Sequence, residues 1–315
     1  MFSRRTFKIL LALVVVTCFL YVGRNYFGQL HLITHAHWLG VVGIVIVHLL
    51  TLWLQGLTYK WGLDSFDRSI SDKESFVLFV ISSYANLVLP RSGVGTTALY
   101  LNRSRKVPII DYSSVVIYGA VLFVFACSAI GCFLFGLDWL AQERAPAWWI
   151  LLGLPAMLLA SGLAILIHWR IPASYNGPGH LLFERLNHAN SRLVTSGNVY
   201  RIGLAHFVLV FLRAFRLYIA FWALGIEVSF YAVLLTSVLG DLAFVIAVTP
   251  GALGFREAAI AIAAARLGID APIAISVAIF DRLVFSLAVA ITAQLLIAFV
   301  MRNDGSRLVE STPAN

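Results

Sequence analysis

The chain reads as a succession of long apolar runs separated by short polar stretches. Runs of membrane-spanning length, about 20 residues for a ~30 Å hydrocarbon core, cover 7–23, 38–59, 112–136, 148–169, 203–224, 228–249 and 272–299. Two shorter apolar runs stand at 75–89 and 256–267. The first long run follows Arg4, Arg5 and Lys8, as a secretory signal would. The residues after it, Tyr21-Val22-Gly23-Arg24-Asn25, contain no small-x-small cleavage site, so an uncleaved anchor is expected.

The two short runs decide the topology. After 75–89 comes Pro90-Arg91-Ser92-Gly93-Val94-Gly95, and only Thr96 to Leu101 separates this turn from Arg103, Arg105 and Lys106. A helix of that length rises ~9 Å and cannot recross the hydrocarbon core. The chain therefore either crosses at 75–90 and leaves the basic cluster outside, or dips in and returns. The second half poses the same choice: 228–249, then Pro250-Gly251-Ala252-Leu253-Gly254, then an Ala-rich helix ending at Gly268, a good residue to follow a helix C-terminus.

Basic residues concentrate on the cytoplasmic side of membrane proteins. With two re-entrant hairpins, A at 75–101 and B at 228–268, and with both termini cytoplasmic, fifteen Lys and Arg fall inside and only Arg24, Arg144 and Arg266 outside. A spanning 75–90 would put Arg103, Arg105 and Lys106 on the wrong side. The expected architecture is a single all-α polytopic membrane domain over 1–315, with about six full spans and two re-entrant hairpins entering from opposite faces. Each hairpin is followed by a short helix, a proline (Pro108, Pro272) and a long span, so an inverted repeat is expected, the plan of many secondary transporters.

Composition agrees with a lipid environment. Of 315 residues 60% are hydrophobic and 12% charged, and the mean hydropathy is +0.89. A soluble chain carries about twice that share of charge. The net charge of +8 suits loops facing anionic headgroups and calls for no nucleic acid. Cys18, Cys127 and Cys132 lie in apolar runs without metal-knuckle spacing, so neither a disulfide framework nor a zinc site is expected. His31, His35 and His37 cluster in the first outer loop with no carboxylate nearby and read as a headgroup-facing loop. The polar stretch around 170–202 reads as a cytoplasmic loop lying on the headgroups. No P-loop, dinucleotide fingerprint or nucleophile elbow occurs, and no cofactor is called for.

Ionisable groups inside a bilayer cost ~2.5–3.5 kcal/mol each on insertion scales, which makes them candidates for function. Five arginines, Arg91, Arg213, Arg216, Arg256 and Arg282, stand against three acids, Asp241, Glu257 and Asp281. The two spare guanidinium groups imply an anion, and arginine suits a phosphate because its planar fork donates bidentately. In hairpin B, Gly251 and Gly254 let the backbone turn, and the next helix offers free N–H groups to a negative ligand. In hairpin A, Arg91 is followed by Ser92 and Gly93, with hydroxyls placed to cap a helix. Arg256 is expected at the tip of its hairpin rather than in a packing seam. Glu257, in the first helical turn, either satisfies the helix dipole and an arginine or carries a proton. Arg213 and Arg216 share a helix face. Asp281 and Arg282 point about 100° apart, so each pairs with another helix, and an Asp281 bridge to Arg213 or Arg216 is the structural alternative to ligand contact. Asp241 must be paired or protonated.

Asn86-Leu87-Val88-Leu89-Pro90-Arg91-Ser92-Gly93 and Thr249-Pro250-Gly251-Ala252-Leu253-Gly254-Phe255-Arg256-Glu257 resemble the paired signatures of the flippase-like membrane family that includes the transmembrane half of lysylphosphatidylglycerol synthase. The resemblance runs from about residue 8 to 300. It implies movement of a lipid between leaflets of the bacterial inner membrane, membrane lipids with anionic headgroups or isoprenoid-linked amphiphiles as partners, and an association with lipid- or glycan-synthesis enzymes. Aminoacyl transfer belongs to a separate soluble domain in that family, so no enzymatic activity is expected of this chain. A membrane-embedded enzyme acting on a lipid phosphate, or an accessory subunit, is the alternative. Where family members often carry an acidic-arginine pair in the span after the first motif, this chain has Tyr118-Gly119; the second copy keeps Asp281-Arg282.

The topology makes a direct prediction. A single cysteine at Ser104 or Asn303 is shielded from an impermeant reagent added outside, while one at Ala141 is labelled; outside labelling at Ser104 overturns hairpin A.

Overall fold

The structure is a computed structural model that describes residues 31–89, 92–140, 148–166, 191–246 and 254–310. The anchor expected at 7–23 and both hairpin tips, with Arg91 and Gly251, lie outside the described residues. Among the described residues the regular elements are helices: α1 (His31–Thr34), α2 (Trp38–Asp64), α3 (Asp72–Val88), α4 (Ser92–Arg105), α5 (Ile109–Leu140), α6 (Trp148–Leu166), α7 (Asn198–Ala223), α8 (Phe230–Ile246), α9 (Phe255–Arg266) and α10 (Ala271–Glu310). Four of them are long and apolar enough to cross a membrane: α2, α5 over Ile109–Leu137, α7, and α10 over Ala271–Phe299. Large apolar side chains such as Ile46, Leu204, Leu287 and Leu295 face outward, as a lipid-facing surface requires. The chain is an all-α polytopic membrane protein.

Local sequence explains where the short helices begin and end. Ser71 caps α3 by accepting the Glu74 N–H. Gly268, at φ 81°, closes α9: its N–H reaches Ala265 and the Ile269 N–H reaches Ala264, satisfying carbonyls left free at the helix end. The helix after the first tip differs from expectation. It starts at Ser92 and continues through Arg103 to Arg105, because Arg103 and Arg105 favour the negative end of a helix dipole rather than ending it. At 14 residues for α4 and 12 for α9, both still fall short of the hydrocarbon thickness, at ~21 and ~18 Å.

Helix α4 comes back to the end of the bundle from which α3 sets out. Arg105 grips Glu74 through two hydrogen bonds of 2.9 and 2.6 Å, and Tyr100 donates to the same carboxylate at 3.2 Å. Lys60 meets Asp72 at 2.6 Å there too, tying α2 to the base of α3.

Packing follows a duplicated plan. The unit α2-α3-α4-α5 has its counterpart in α7-α8-α9-α10. Within each unit, consecutive helices pack, and the first packs on the last. Between units, α3 packs on α10 as α8 packs on α5, and α2 on α10 as α7 on α5. The counterparts α2 and α7 share the most extensive interface and run antiparallel: Gly40 abuts Ala223, His48 bonds Arg216, and Ser65 bonds Asn198. Antiparallel counterparts mean that the two units are inverted relative to each other. The inverted repeat thus extends one helix further toward the N-terminus than the hairpin motifs alone suggested.

Apolar clusters hold the two ends of this pair. One gathers Ile44, Leu217, Phe221, Val233, Ile260 and Val277, and another gathers Leu63, Leu101, Tyr112, Val115 and Ile202. His48, Arg213 and Arg216 lie between them along α2 and α7, so the charged groups occupy the middle depth of the bundle.

Close approach of α3 and α4 depends on Gly93, where a Cβ would overlap the carbonyl oxygen of Ser82, while a Cβ at Gly95 in the same helix would meet nothing within 4 Å. Gly93→Ala is expected to destabilise the protein by ~1–3 kcal/mol. Gly95→Ala is expected to be neutral or slightly stabilising, since alanine is the better helix former. Thermal unfolding of the two variants in one detergent checks the contrast; equal midpoints refute the close-packing role of Gly93.

Candidate functional site

At the centre of the bundle Asp281 on α10 is fully buried and serves two arginines. Arg216 on α7 donates through Nε to Oδ1 at 2.8 Å and through Nη2 to Oδ2 at 3.1 Å, the bidentate geometry that gives arginine-carboxylate pairs their strength. Arg256 on α9 donates through Nη1 to Oδ2 at 3.3 Å. Of the two bridges open to Asp281 from the sequence, the structure forms the one to Arg216.

Asp241 on α8 lies 3.8 Å from Arg256 Nε and 3.6 Å from Arg213 Nη1. It reaches Arg256 because Gly240 lets α8 approach α9 closely; a Cβ there would lie 2.7 Å from Ile260. Glu257 accepts the Gly254 N–H at 2.8 Å, forming half of a capping box, and pairs with Arg282 at 2.9 Å. Gly254 itself sits at φ 86°, a conformation that favours glycine. Asp281 and Arg282 therefore do serve different neighbours, as their angular separation on α10 requires.

Arg256 is a correction to the sequence reading. It is 1% exposed and enclosed by Asp241 and Asp281, in the packing seam rather than free at a tip. The cause is the first turn of α9, which begins inside the bundle beside α8 and α10, so its side chains meet buried carboxylates before they meet solvent. Ser92 lies on the other hairpin, where its hydroxyl donates to Ala85 and Leu89 carbonyls, and the Gly93 N–H donates to Asn86 Oδ1 at 2.8 Å. These contacts close the hairpin internally and do not join the arginine cluster.

Several members of the site were not legible in the sequence reading. His48 on α2 accepts from Arg216 Nη1 at 2.7 Å through Nδ1. A guanidinium can only donate, so Nδ1 is the acceptor and the proton of the neutral ring sits on Nε2. That Nε2 is buried and without a hydrogen-bond partner. Phe285 lies under the Arg216 guanidinium at 4.5 Å and Phe123 under that of Arg213 at 4.7 Å, both cation-π contacts. A lone polar residue inside an apolar run was the available signal for His48. The two phenylalanines carry none, being apolar residues among others.

These groups surround a cavity of about 390 Å³. Its wall includes Arg213, Arg216, Arg256 and Arg282 but a single carboxylate, Asp241; Asp281 and Glu257 stand behind the arginines. Neutral donors and acceptors from Thr51, Gln55, Ser83, Asn86 and Ser286 complete the polar part. Arg256 Nη2, like His48 Nε2, is a buried donor with no partner, and buried donors in native structures ordinarily have one. The cavity thus presents guanidinium donors at its wall, one of them, Arg256 Nη2, without a protein partner. Among the described residues no three His, Cys, Asp or Glu side chains come together to hold a metal ion.

An inverted all-α bundle with several long apolar helices and an arginine-lined cavity among them defines the class: a multi-pass membrane protein. The family model described as the lysylphosphatidylglycerol synthase TM region matches residues 6–293, and the chain belongs to that family. Membership implies a membrane protein of lipid metabolism or transport. No curated protein and no solved structure matches the chain.

The buried pairing predicts an asymmetric mutational response. Asp281→Asn leaves Arg216 and Arg256 without their shared charge and is expected to cost ~3–5 kcal/mol. Arg105→Gln, at a pair whose arginine is half exposed and screened by solvent, is expected to be far milder. Thermal unfolding in detergent measures both, and equal losses would refute the central role of Asp281.

Proposed function

We propose that the protein translocates an amphiphile with an anionic headgroup, a phospholipid or an isoprenoid-linked lipid, between the leaflets of the bacterial inner membrane. Both termini are cytoplasmic, and the α3-α4 and α8-α9 hairpins enter the bilayer from opposite faces. The carrying observation is the cavity wall, with four guanidinium groups against one carboxylate; with Asp281 and Glu257 behind them the cluster still keeps one positive charge in excess. A bundle that needed only internal neutrality would present matched charges to its cavity. The arginines instead offer donors to a group that brings its own negative charge, and the headgroup exchanges water for them without entering bare hydrocarbon. The inverted hairpins support the same reading, since broken helices meeting at mid-depth give a polar group two routes, one to each face.

Glu257 and Asp281 would be the proton carriers of a membrane-embedded enzyme. Glu257 accepts the Gly254 N–H through one oxygen and forms an ion pair with Arg282 at 2.9 Å through the other, and both oxygens of Asp281 accept from Arg216. Carboxylates held in this way favour a positioning role over proton transfer, which supports transport over catalysis.

Arg213 is the arginine for a test, being 19% exposed at the cavity and paired with Asp241 only at 3.6 Å. Arg213→Gln removes one charged donor, worth ~1.5–3 kcal/mol, and is expected to weaken anionic-lipid binding at least tenfold while the protein still folds. In proteoliposomes carrying a labelled anionic phospholipid, wild-type protein exchanges the lipid between leaflets without altering it, and Arg213→Gln and Gly254→Val both slow exchange. Chemical conversion of the lipid by wild-type protein, abolished in Glu257→Gln, would establish the enzyme instead.

A further inference from the structure

A second cavity, of about 200 Å³, adjoins the arginine-lined one and shares Gln55, Phe79, Phe123 and Arg213 with it. Its position follows from the helices that line both. On α2 the lining moves from His48–Gln55 to Gln55–Tyr59, and on the antiparallel α7 from Arg213 and Arg216 back to Ile202 and His206. Both shifts lead toward the end of the bundle that carries Lys60, Arg103, Arg105 and Arg201, its basic end, by ~10 Å at 1.5 Å per residue.

The chemistry changes over that distance. Apart from Arg213 on the shared wall, no Lys, Arg, Asp or Glu lines the second cavity. Its polar groups are neutral and of both kinds. Tyr118 Oη is buried and has no hydrogen-bond partner. His206 Nδ1 lies 2.7 Å from the Ile202 carbonyl, which can only accept, so Nδ1 carries the proton and Nε2 is left as an acceptor. Thr58 donates its hydroxyl to the Gln55 carbonyl at 2.7 Å and keeps its lone pairs. Gly119 leaves this corner open, since a Cβ there would approach nothing nearer than His206 Nε2, at 3.9 Å. Tyr118 and Gly119 sit on α5, the counterpart of α10 with its Asp281 and Arg282. The two units thus contribute unlike chemistry at related places, one charged and one neutral.

We propose that the second cavity is a subsite for an uncharged, hydroxyl-bearing substituent on the anion held by the arginines, so that the full site takes a phosphate esterified to a glycerol- or sugar-like polyol. The assignment rests on the anion-binding reading of the first cavity. A hydroxyl both donates and accepts, which matches a wall offering an unpartnered phenol, a ring acceptor and an amide. A site built to bond hydroxyls also discriminates against ligands that lack them.

The test measures retention of two lipids by the purified protein in mixed-lipid nanodiscs, with native mass spectrometry as the readout. Phosphatidylglycerol carries the polyol; phosphatidic acid lacks it but bears at least as much charge, so a purely electrostatic site holds phosphatidic acid as well or better. Wild-type protein is expected to prefer phosphatidylglycerol by about tenfold. Tyr118→Phe, which removes one hydroxyl and keeps the ring, and Gly119→Leu, which fills the cavity, are each expected to reduce that preference at least threefold, with phosphatidic acid binding unchanged. An unaltered preference in both variants, or no preference in wild-type protein, overturns the subsite. Failure to retain either lipid overturns the anion-site reading beneath it. Soluble glycerol 3-phosphate, displacing phosphatidylglycerol at equal concentration in a Tyr118-dependent manner, supports the subsite and assigns it to a soluble phosphate ester rather than a lipid.

Discussion

The fold turns on a single buried carboxylate. Asp281 is fully enclosed and joins α10 to Arg216 of α7 and Arg256 of α9. Removing a carboxylate from water is expensive, and only charge-assisted hydrogen bonds from well-placed donors offset the cost. Those donors must come from different helices, because a neighbour on the same helix points elsewhere. The position of Asp281 therefore dictates that a tip-born helix, a central span and the last long span converge. The rest of the polar network is arranged around that requirement: Arg256 reaches back to Asp241, Arg213 lies beside it, and His48 accepts the remaining face of Arg216.

Duplication explains how short helices come to lie at mid-depth. In each unit a helix of about 17 residues enters, a shorter one returns, and a long helix follows. Small residues allow the arms to approach, Gly93 against Ser82 in one unit and Gly240 against Ile260 in the other. Beyond the backbone plan the two units have diverged. The first closes its hairpin with neutral contacts, Asn86 to Gly93 and Ser92 to Ala85 and Leu89. The second closes its own with Glu257, which adds a charge that Arg282 must answer. One closure consumes no ionic group, and the other builds half of the arginine cluster.

This difference also explains what was legible in the sequence. The spans followed from hydrophobic length, the class from composition, and the repeat from two proline-glycine turns with matched followers. The charged members of the site announced themselves because an ionisable side chain is too costly in an apolar run to stand there without a partner or a ligand. Pairing was less visible. That Asp281 would choose Arg216, and that Arg256 would be enclosed instead of presented, depends on the rotation and depth of α9, which no local pattern encodes. His48 was overlooked as a single neutral residue in a long apolar helix, and Phe123 and Phe285 matter only through the guanidinium groups stacked on them. Aromatic support of this kind is a product of tertiary packing alone.

The geometry also bears on how a charged group moves through such a site. A receptor whose arginines were wholly free would hold an anion too firmly to release it, and one whose arginines were wholly neutralised would hold none. Here each guanidinium has a protein partner of graded quality: bidentate for Arg216, 2.9 Å to Glu257 for Arg282, a 3.3 Å contact and a longer 3.8 Å one for Arg256, and 3.6 Å for Arg213. On the proposed function, an entering phosphate displaces the weakest contacts first and leaves the Asp281 anchor intact, so the bundle keeps its packing while the cavity changes occupants. Because Arg213 also borders the second cavity, an anion held there stands between a wall of fixed positive charge and a neutral, hydroxyl-rich chamber. On the proposed function that gradient sets orientation: the phosphate remains with the arginines, and its uncharged substituent is directed toward the basic end of the bundle.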